Sequence, residues 1–364
     1  MSTARHDWTK QEILDIYNRP LMELLYDAAT IHRLHHDPNT VQVSTLLSIK
    51  TGGCPEDCGY CPQAARYHTD IEGNDLMTVS HVKAQALRAK ASGSSRVCMG
   101  AAWRNVKDGE EFDQVLEMVR TINKLDMEVC CTLGMLTENQ AKRLAEAGLY
   151  AYNHNLDTSE DYYKDVISTR AFKDRLDTID NVRKSNVTVC SGGIIGMGEK
   201  EEDRAGMLVA LSTLDPQPES VPINALVAVT GTPMEDIKPV SIWEMIRMVA
   251  TTRIVMPKTQ VRLSAGRTEM SREGQAMCFF AGANSIFAGD KLLTTPNPDV
   301  NEDMEMFKLL GLSPQKPFVK EAQPKTVEAD ESQYKALGEK PKWSRPGHTI
   351  DRNEQAKQQA KLTK

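Results

Sequence analysis

The chain has 364 residues, 40% of them hydrophobic and 26% charged, with a net charge of −6, a composition that suits a globular protein with a large buried core. Negative net charge argues against nucleic acid as the main partner, and no apolar run reaches the length of a membrane span. The first ten residues, M-S-T-A-R-H-D-W-T-K, carry no hydrophobic leader, so a cytoplasmic location is expected, where the eight cysteines stay reduced and available to metals.

Residues 8–36 read as one helical segment, with Ile13, Ile16, Tyr17, Leu21, Leu24 and Leu25 at helical spacing behind Thr9 as N-cap. A strand at 41–50 then runs into residues 51–63, T-G-G-C-P-E-D-C-G-Y-C-P-Q, where Cys54, Cys58 and Cys61 stand in a C-x3-C-x2-C spacing. Three thiolates on one short loop can converge on a soft metal centre. Structural zinc and electron-transfer iron–sulfur sites normally use four protein ligands, and no fourth cysteine lies nearby, so one coordination position stays open. A zinc loop closed by a distant fourth ligand is the alternative that spacing leaves standing.

Further strands are expected at 95–100, 127–133, 149–155, 187–191, 221–229, 260–265 and 284–288. Helices are expected at 80–92, 111–125, 137–147, 173–184, 200–213, 241–254 and 270–281. Eight strands alternating with helices predict an α/β fold of the (β/α)8 TIM-barrel type. Its organisation is expected to be an N-terminal helical extension (1–38), a barrel (39–312) and a polar tail (313–364). Residues 315–364 hold 11 Lys/Arg and 7 Asp/Glu, and this tail is expected to be disordered.

Cys98, Cys130 and Cys190 fall on the second, third and fifth of these strands, and Arg262 on the seventh. One strand residue in two faces a barrel's lumen, so three cysteines on separate strands can meet around one centre, although each alone is ordinary packing. Adjacent Cys130 and Cys131 face opposite sides, and periodicity does not say which is inside. Cys278, on a helix, reads as packing. Asn153, Asn155 and Asp157 are spaced two apart in Y-N-H-N-L-D-T and, if the strand stays extended, offer amides and a carboxylate on one side, suited to ribose hydroxyls or a cyclic urea. A loop of Asx turns is the alternative. Asn224, in V-P-I-N-A-L, is an amide in an apolar strand and needs a partner, for which a ligand is a candidate.

The cysteine loop resembles the cluster motif of the radical S-adenosylmethionine (SAM) enzymes. Together with R-V-C-M-G-A-A-W-R, C-T-L-G, Y-N-H-N-L-D-T, V-C-S-G-G-I-I-G-M-G-E, V-P-I-N and V-R-L-S-A-G-R, spread over roughly residues 40–290, it resembles the biotin synthase family within them. That resemblance implies that Cys54, Cys58 and Cys61 hold a 4Fe–4S cluster whose open iron chelates SAM. It implies that Cys98, Cys130, Cys190 and Arg262 hold a deeper 2Fe–2S cluster, with Cys131 an extra thiol. Arginine is an unusual ligand, being normally protonated. Asn155 and Asp157 would hold the SAM ribose, Tyr60 would meet the adenine through its backbone, and Gly192, Ile194, Gly196 and Glu199 fall in the register of a SAM-contact element. Arg170 and Arg175 are candidate partners for the methionyl carboxylate, Arg175 before Arg170, against surface helix charge as the default. Asn153 and Asn224 would hold the ureido ring of dethiobiotin.

The implied activity is radical sulfur insertion converting dethiobiotin to biotin, with hydrogen abstracted at C9 and C6, sulfur drawn from the second cluster and no protein acid or base required. A low-potential electron donor such as flavodoxin or ferredoxin and a homodimer are implied partners. Two rival readings are a different radical SAM reaction on the same barrel, which would not need the second cysteine set, and a noncatalytic iron–sulfur carrier. A carrier would normally close its cluster with a fourth cysteine, and it would not bind SAM.

Overall fold

In a computed structural model, residues 4–289 and 291–317 are described; the expectation of a disordered tail falls largely outside them. The strands are β1 (Thr40–Lys50), β2 (Arg96–Ala101), β3 (Glu128–Thr132), β4 (Ala151–Asn153), β5 (Thr188–Cys190), β6 (Gly193–Ile195), β7 (Ser220–Ala225), β8 (Gln260–Leu263), β9 (Ser285–Ala288) and β10 (Ser313–Pro314). All form one parallel sheet, which pairing of β9 with β1 closes into a barrel. Eight of these are the expected strands. The other two are β10, which adds to the start of β1, and β6. β6 continues β5 after a two-residue break: Cys190 lies opposite Ser220 and Gly193 opposite Ile223, so both pair β7 on one register. The barrel therefore has eight positions, the fifth of them interrupted.

The helices are α1 (Lys10–Tyr17), α2 (Leu21–His35), α3 (Val79–Ala91), α4 (Glu110–Asn123), α5 (Glu138–Glu146), α6 (Tyr163–Val166), α7 (Phe172–Lys184), α8 (Glu201–Ser212), α9 (Ile242–Val255), α10 (Arg272–Phe280) and α11 (Val300–Leu310). The segment expected as one helix is two, because Pro20 has no N–H to donate and its ring clashes with the carbonyl of residue 16. Thr9 does cap α1, in a reciprocal pair with Glu12. α6 and α11 were not expected: α6 is a single turn, and α11 has only three buried residues, Asp303, Met306 and Phe307.

Alternation along the strands sorts side chains into two populations. Val97, Met99, Val129, Cys131 and Val189 join the helices in the main core, while Cys98, Cys130, Ala151, Phe287 and Leu292 form a separate cluster inside the barrel. The lower lumen is polar, with Gln42, Ser44, Arg96, Glu128, Arg262 and Ser285 all buried. The lumen thus changes from buried polar groups at its floor to the cysteine cluster above them, and this places the reactive groups.

On α2, His32 is 4% exposed and its Nδ1 has no hydrogen-bond partner among the described residues. Burial, then the charges of Arg253 and Arg33, push its pKa down to about 3. The unfolded chain therefore binds the proton first, so stability is complete above pH ~6.5 and declines as pH falls toward the folded value. We expect loss of about 2 kcal/mol by pH 5 from this group. Thermal melts from pH 7.5 to 5 check it: His32→Leu should flatten the acid side of the curve, and an unchanged slope would rule His32 out as its source.

Candidate active site

The three-cysteine loop leaves the end of β1 through Gly52 and Gly53, at φ 77° and 72°, a left-handed conformation that favours glycine. Backbone bonds then fold the loop on itself: Cys54 N donates to Gln63 O (3.0 Å), Ala65 N to Cys54 O (2.8 Å) and Cys61 N to Cys58 O (2.9 Å). The segment after α6 clamps it from outside. Gly59 N donates to Val166 O, and Asp57 accepts from the backbone N–H groups of Ser168 (3.0 Å) and Thr169 (3.1 Å) and from both hydroxyls. Burial would raise the Asp57 carboxyl, but these hydrogen bonds prevail and hold it at about 2. Next to it Glu56 is buried, accepting from Thr169 Oγ1 and facing Arg104 at 3.5 Å and Arg170 at 3.8 Å.

Cys54, Cys58 and Cys61 line one cavity of about 320 Å³ that runs down to Cys98, Cys130 and Arg262. Burial raises the Cys54 thiol, pushes Cys58 up to about 11 and, with the nearby Cys58 charge, Cys61 up to about 12. A metal centre bound here must therefore displace their protons. Among the described residues no three His, Cys, Asp or Glu side chains close tightly enough to hold a single metal ion. The three thiols share one cavity wall, and three thiolates are a donor set that an iron–sulfur cluster can use.

Asn153, Asn155 and Asp157 all face this cavity, although β4 ends at Asn153 and Asp157 sits at φ 68°. Asn155 Oδ1 accepts from Gly192 N (3.2 Å) and Asn153 Nδ2 (3.1 Å). Asp157 Oδ2 accepts from the Tyr60 hydroxyl (2.8 Å) and pairs with Arg175 Nη2. Arg175 also donates to Asn155 O (2.8 Å) and the Tyr163 hydroxyl (2.9 Å). Arg175 thus orients the polar strand end from behind, while Arg170, also at the cavity wall, leaves its Nε without a hydrogen bond. Breaking a buried ion pair from one side costs roughly 3–5 kcal/mol. Asp157→Asn is therefore expected to lower stability by about that much, and Asp157→Asn/Arg175→Met to recover most of it; urea unfolding of both variants is the check.

In the glycine-rich stretch the backbone is approached closely by other parts of the chain. A Cβ on Gly192 would collide with the Pro222 carbonyl, and one on Gly193 with the Asp157 carbonyl and Met207; these glycines let strands approach each other. Ile194 faces the cavity. Glu199 is occupied by Gly196 N (2.8 Å), Met197 N (2.7 Å) and Arg204 Nε (2.7 Å), so it closes a turn. Asn224 finds its partners in the protein: Nδ2 donates to Gly193 O (2.9 Å) and Oδ1 accepts from Ala265 N (3.1 Å). One N–H of its amide remains for a ligand.

Deeper in, Cys98 and Cys130 are register partners on β2 and β3. The interaction of the two neighbouring thiols holds Cys98 below its ordinary value and Cys130 above it. The structure decides the neighbouring pair: Cys130 lies inside, and Cys131 belongs to the outer core. Cys278 is likewise core packing. Cys190 Sγ accepts from Asn153 Nδ2 at 3.3 Å and lies 3.9 Å from Arg262 Nη1. Arg262 is anchored by Ser285 Oγ (2.9 Å), Gln42 Oε1 (3.0 Å) and Ser44 Oγ (3.4 Å), with its guanidinium 4.5 Å from the Phe287 ring centre. Three thiols and a fixed guanidinium thus meet within one lumen.

Sequence reasoning missed Glu56 and the loop after β9, whose Leu292, Leu293, Thr294 and Thr295 also line the cavity, and Arg104, which faces Glu56. That loop was open to inference, since every βα loop of such a barrel borders the site.

The fold is shared with proteins of known structure. Methylornithine synthase (TM-score 0.72, 18% identity, covering 85% of this chain and 94% of that one) and a maturase of the FeFe-hydrogenase (0.72, 18%, 85% and 72%) share the architecture. The Radical SAM superfamily model matches residues 48–211, and the Biotin and Thiamin Synthesis associated domain matches 222–313. The chain is 85% identical to biotin synthase of Christiangramia forsetii, covering 98% of both chains, and 84% identical to that of Flavobacterium johnsoniae, covering 99% of both. Biotin synthase of Cytophaga hutchinsonii is 63% identical over 87% of this chain and 94% of its own. The chain belongs to the biotin synthase family of the radical SAM superfamily.

Proposed function

We propose that this chain catalyses sulfur insertion into dethiobiotin to form biotin. The observation that carries the proposal is two thiol sets at different depths of one lumen, Cys54, Cys58 and Cys61 at the mouth and Cys98, Cys130 and Cys190 below, in a chain 85% identical to a biotin synthase. The mouth thiols would hold a 4Fe–4S cluster, and the deep thiols with Arg262 would hold a 2Fe–2S cluster. When bound, the clusters and SAM supply what no side chain can: one-electron cleavage of SAM for hydrogen abstraction, and the sulfur atom itself.

The protein's part is placement and dryness. Asn155 and Asp157 receive the SAM ribose, the latter held by Tyr60 and Arg175, while Ile194, Gly192 and the Tyr60 backbone border the adenine. Arg170 and Arg175 both line the cavity and are the cations offered to the methionyl carboxylate, Arg170 while facing Glu56 and Arg175 while paired with Asp157. Asn153 and Asn224 take the ureido ring, and since Asn153 also touches Cys190 Sγ, one amide sets the distance between substrate and deep sulfur. Phe287 and Leu292, packed beside Cys98 and Cys130, keep water away. No side chain acts as a general acid or base. A low-potential donor such as flavodoxin or ferredoxin would supply electrons, and a cytoplasmic homodimer is the form proposed. The barrel is taken as residues 39–312, with 1–38 an extension and 313–364 a tail.

Anaerobic incubation of the reconstituted protein with SAM, dethiobiotin and a reductant, with mass spectrometry of products, tests the proposal. Biotin and 5′-deoxyadenosine together are expected. Deoxyadenosine alone would overturn the substrate or sulfur source, and neither, from protein holding its clusters, would overturn the class of reaction.

A further inference from the structure

Below Cys98 and Cys130 the lumen holds a charged pair that the proposed chemistry does not use. Arg96 and Glu128 stand two residues before the two cysteines on β2 and β3 and are themselves register partners, so all four side chains share the inward face. Both are buried, Arg96 at 4% exposure. Arg96 Nε and Nη2 reach Glu128 Oε2 at 2.8 and 2.7 Å, and the guanidinium lies 5.0 Å from the Tyr150 ring centre. Among the described residues its buried Nη1 has no hydrogen-bond partner.

An unpaired buried donor costs about 1–3 kcal/mol, and such groups are rare in finished structures unless something else completes them. The groups next above Arg96 on its own strand and on β3 are the sulfurs of Cys98 and Cys130, whose charges act on the guanidinium. Arg262 approaches from the opposite wall and touches the third sulfur, that of Cys190. The two arginines differ in one respect. Arg262 is held by neutral groups, Ser285, Gln42 and Ser44, whereas Arg96 is locked by a carboxylate that fixes its direction.

We infer that Arg96 is a positioning residue for the deep sulfur centre: its Nη1 donates to sulfur held at Cys98 and Cys130, and Glu128 aims it there. The inference rests on the assignment of the deep thiols to a second cluster. Hydrogen bonds to cluster sulfurs stabilise the more negative, reduced state and slow loss of the cluster, and outer partners of this kind typically contribute 10–100-fold in metal affinity.

The test uses full-length protein reconstituted anaerobically, comparing wild type with Arg96→Met, Arg96→Lys and the double variant Arg96→Met/Glu128→Gln, which leaves no unpaired buried charge and so guards against simple misfolding. Iron and sulfide per chain, the lifetime of the second cluster in a chelator, its midpoint potential and the melting temperature are measured. Arg96→Met is expected to lose the second cluster about 10-fold faster and to shift its potential negative; the double variant shifts the same way by less, and Arg96→Lys least. Wild-type lifetime and potential in both Met variants would overturn the inference, as would a lowered melting temperature with an unchanged potential, which would assign Arg96 to folding alone. Wild-type protein that holds a single cluster would overturn the assignment of the deep thiols, and the inference with it.

Discussion

Replacing any one of Cys54, Cys58 or Cys61 by alanine is expected to reduce 5′-deoxyadenosine formation to the background of cluster-free protein. The loop supplies three thiolates and no fourth, so removing one leaves two, too few to hold a cluster that already has an open position. The loop itself should survive. Its shape is held by backbone bonds at Cys54, Gly59 and Cys61 and by the Asp57 clamp on Ser168 and Thr169, none of which uses a thiol. Circular dichroism should therefore look native while iron content falls, and deoxyadenosine well above background from Cys58→Ala protein would sink the assignment.

Cys98→Ala and Cys130→Ala should instead separate two products. The mouth thiols are untouched, so deoxyadenosine continues to form, while biotin falls by more than about 100-fold, beyond what loss of an outer-sphere partner typically causes. Cys131→Ala is the control supplied by strand geometry. It alters the neighbouring residue but opens space in the outer core, so it should cost stability without changing the ratio of biotin to deoxyadenosine. Equal ratios in Cys130→Ala and Cys131→Ala would show that the inward side of β3 carries no special role.

The chain's own letters determined the eight barrel strands, the flanking helices and the three-cysteine loop, because period-two and period-3.6 patterns and short-range cysteine spacing are local properties. They also named the deep groups as candidates, since Cys98, Cys130, Cys190 and Arg262 are polarisable or charged residues in otherwise apolar strands. What they could not decide was anything fixed by the closure of the sheet. Choosing Cys130 over Cys131 requires knowing which face of β3 looks inward, and a one-residue change of register would have exchanged them. The partners of Asp157 come from Tyr60 and Arg175, 97 and 18 residues away. Those of Asn224 are backbone groups of Gly193 and Ala265, 31 and 41 residues away, so an amide that looked in need of a ligand proved largely satisfied by the fold. Gly192 and Gly193 are visible in the sequence as glycines, but that Pro222 and Asp157 are what approach them closely is a property of the assembled sheet. Local pattern specifies the elements and which residue types they carry; the directions in which those residues point, and what is already bonded to them, exist only once non-local pairing has brought the strands together.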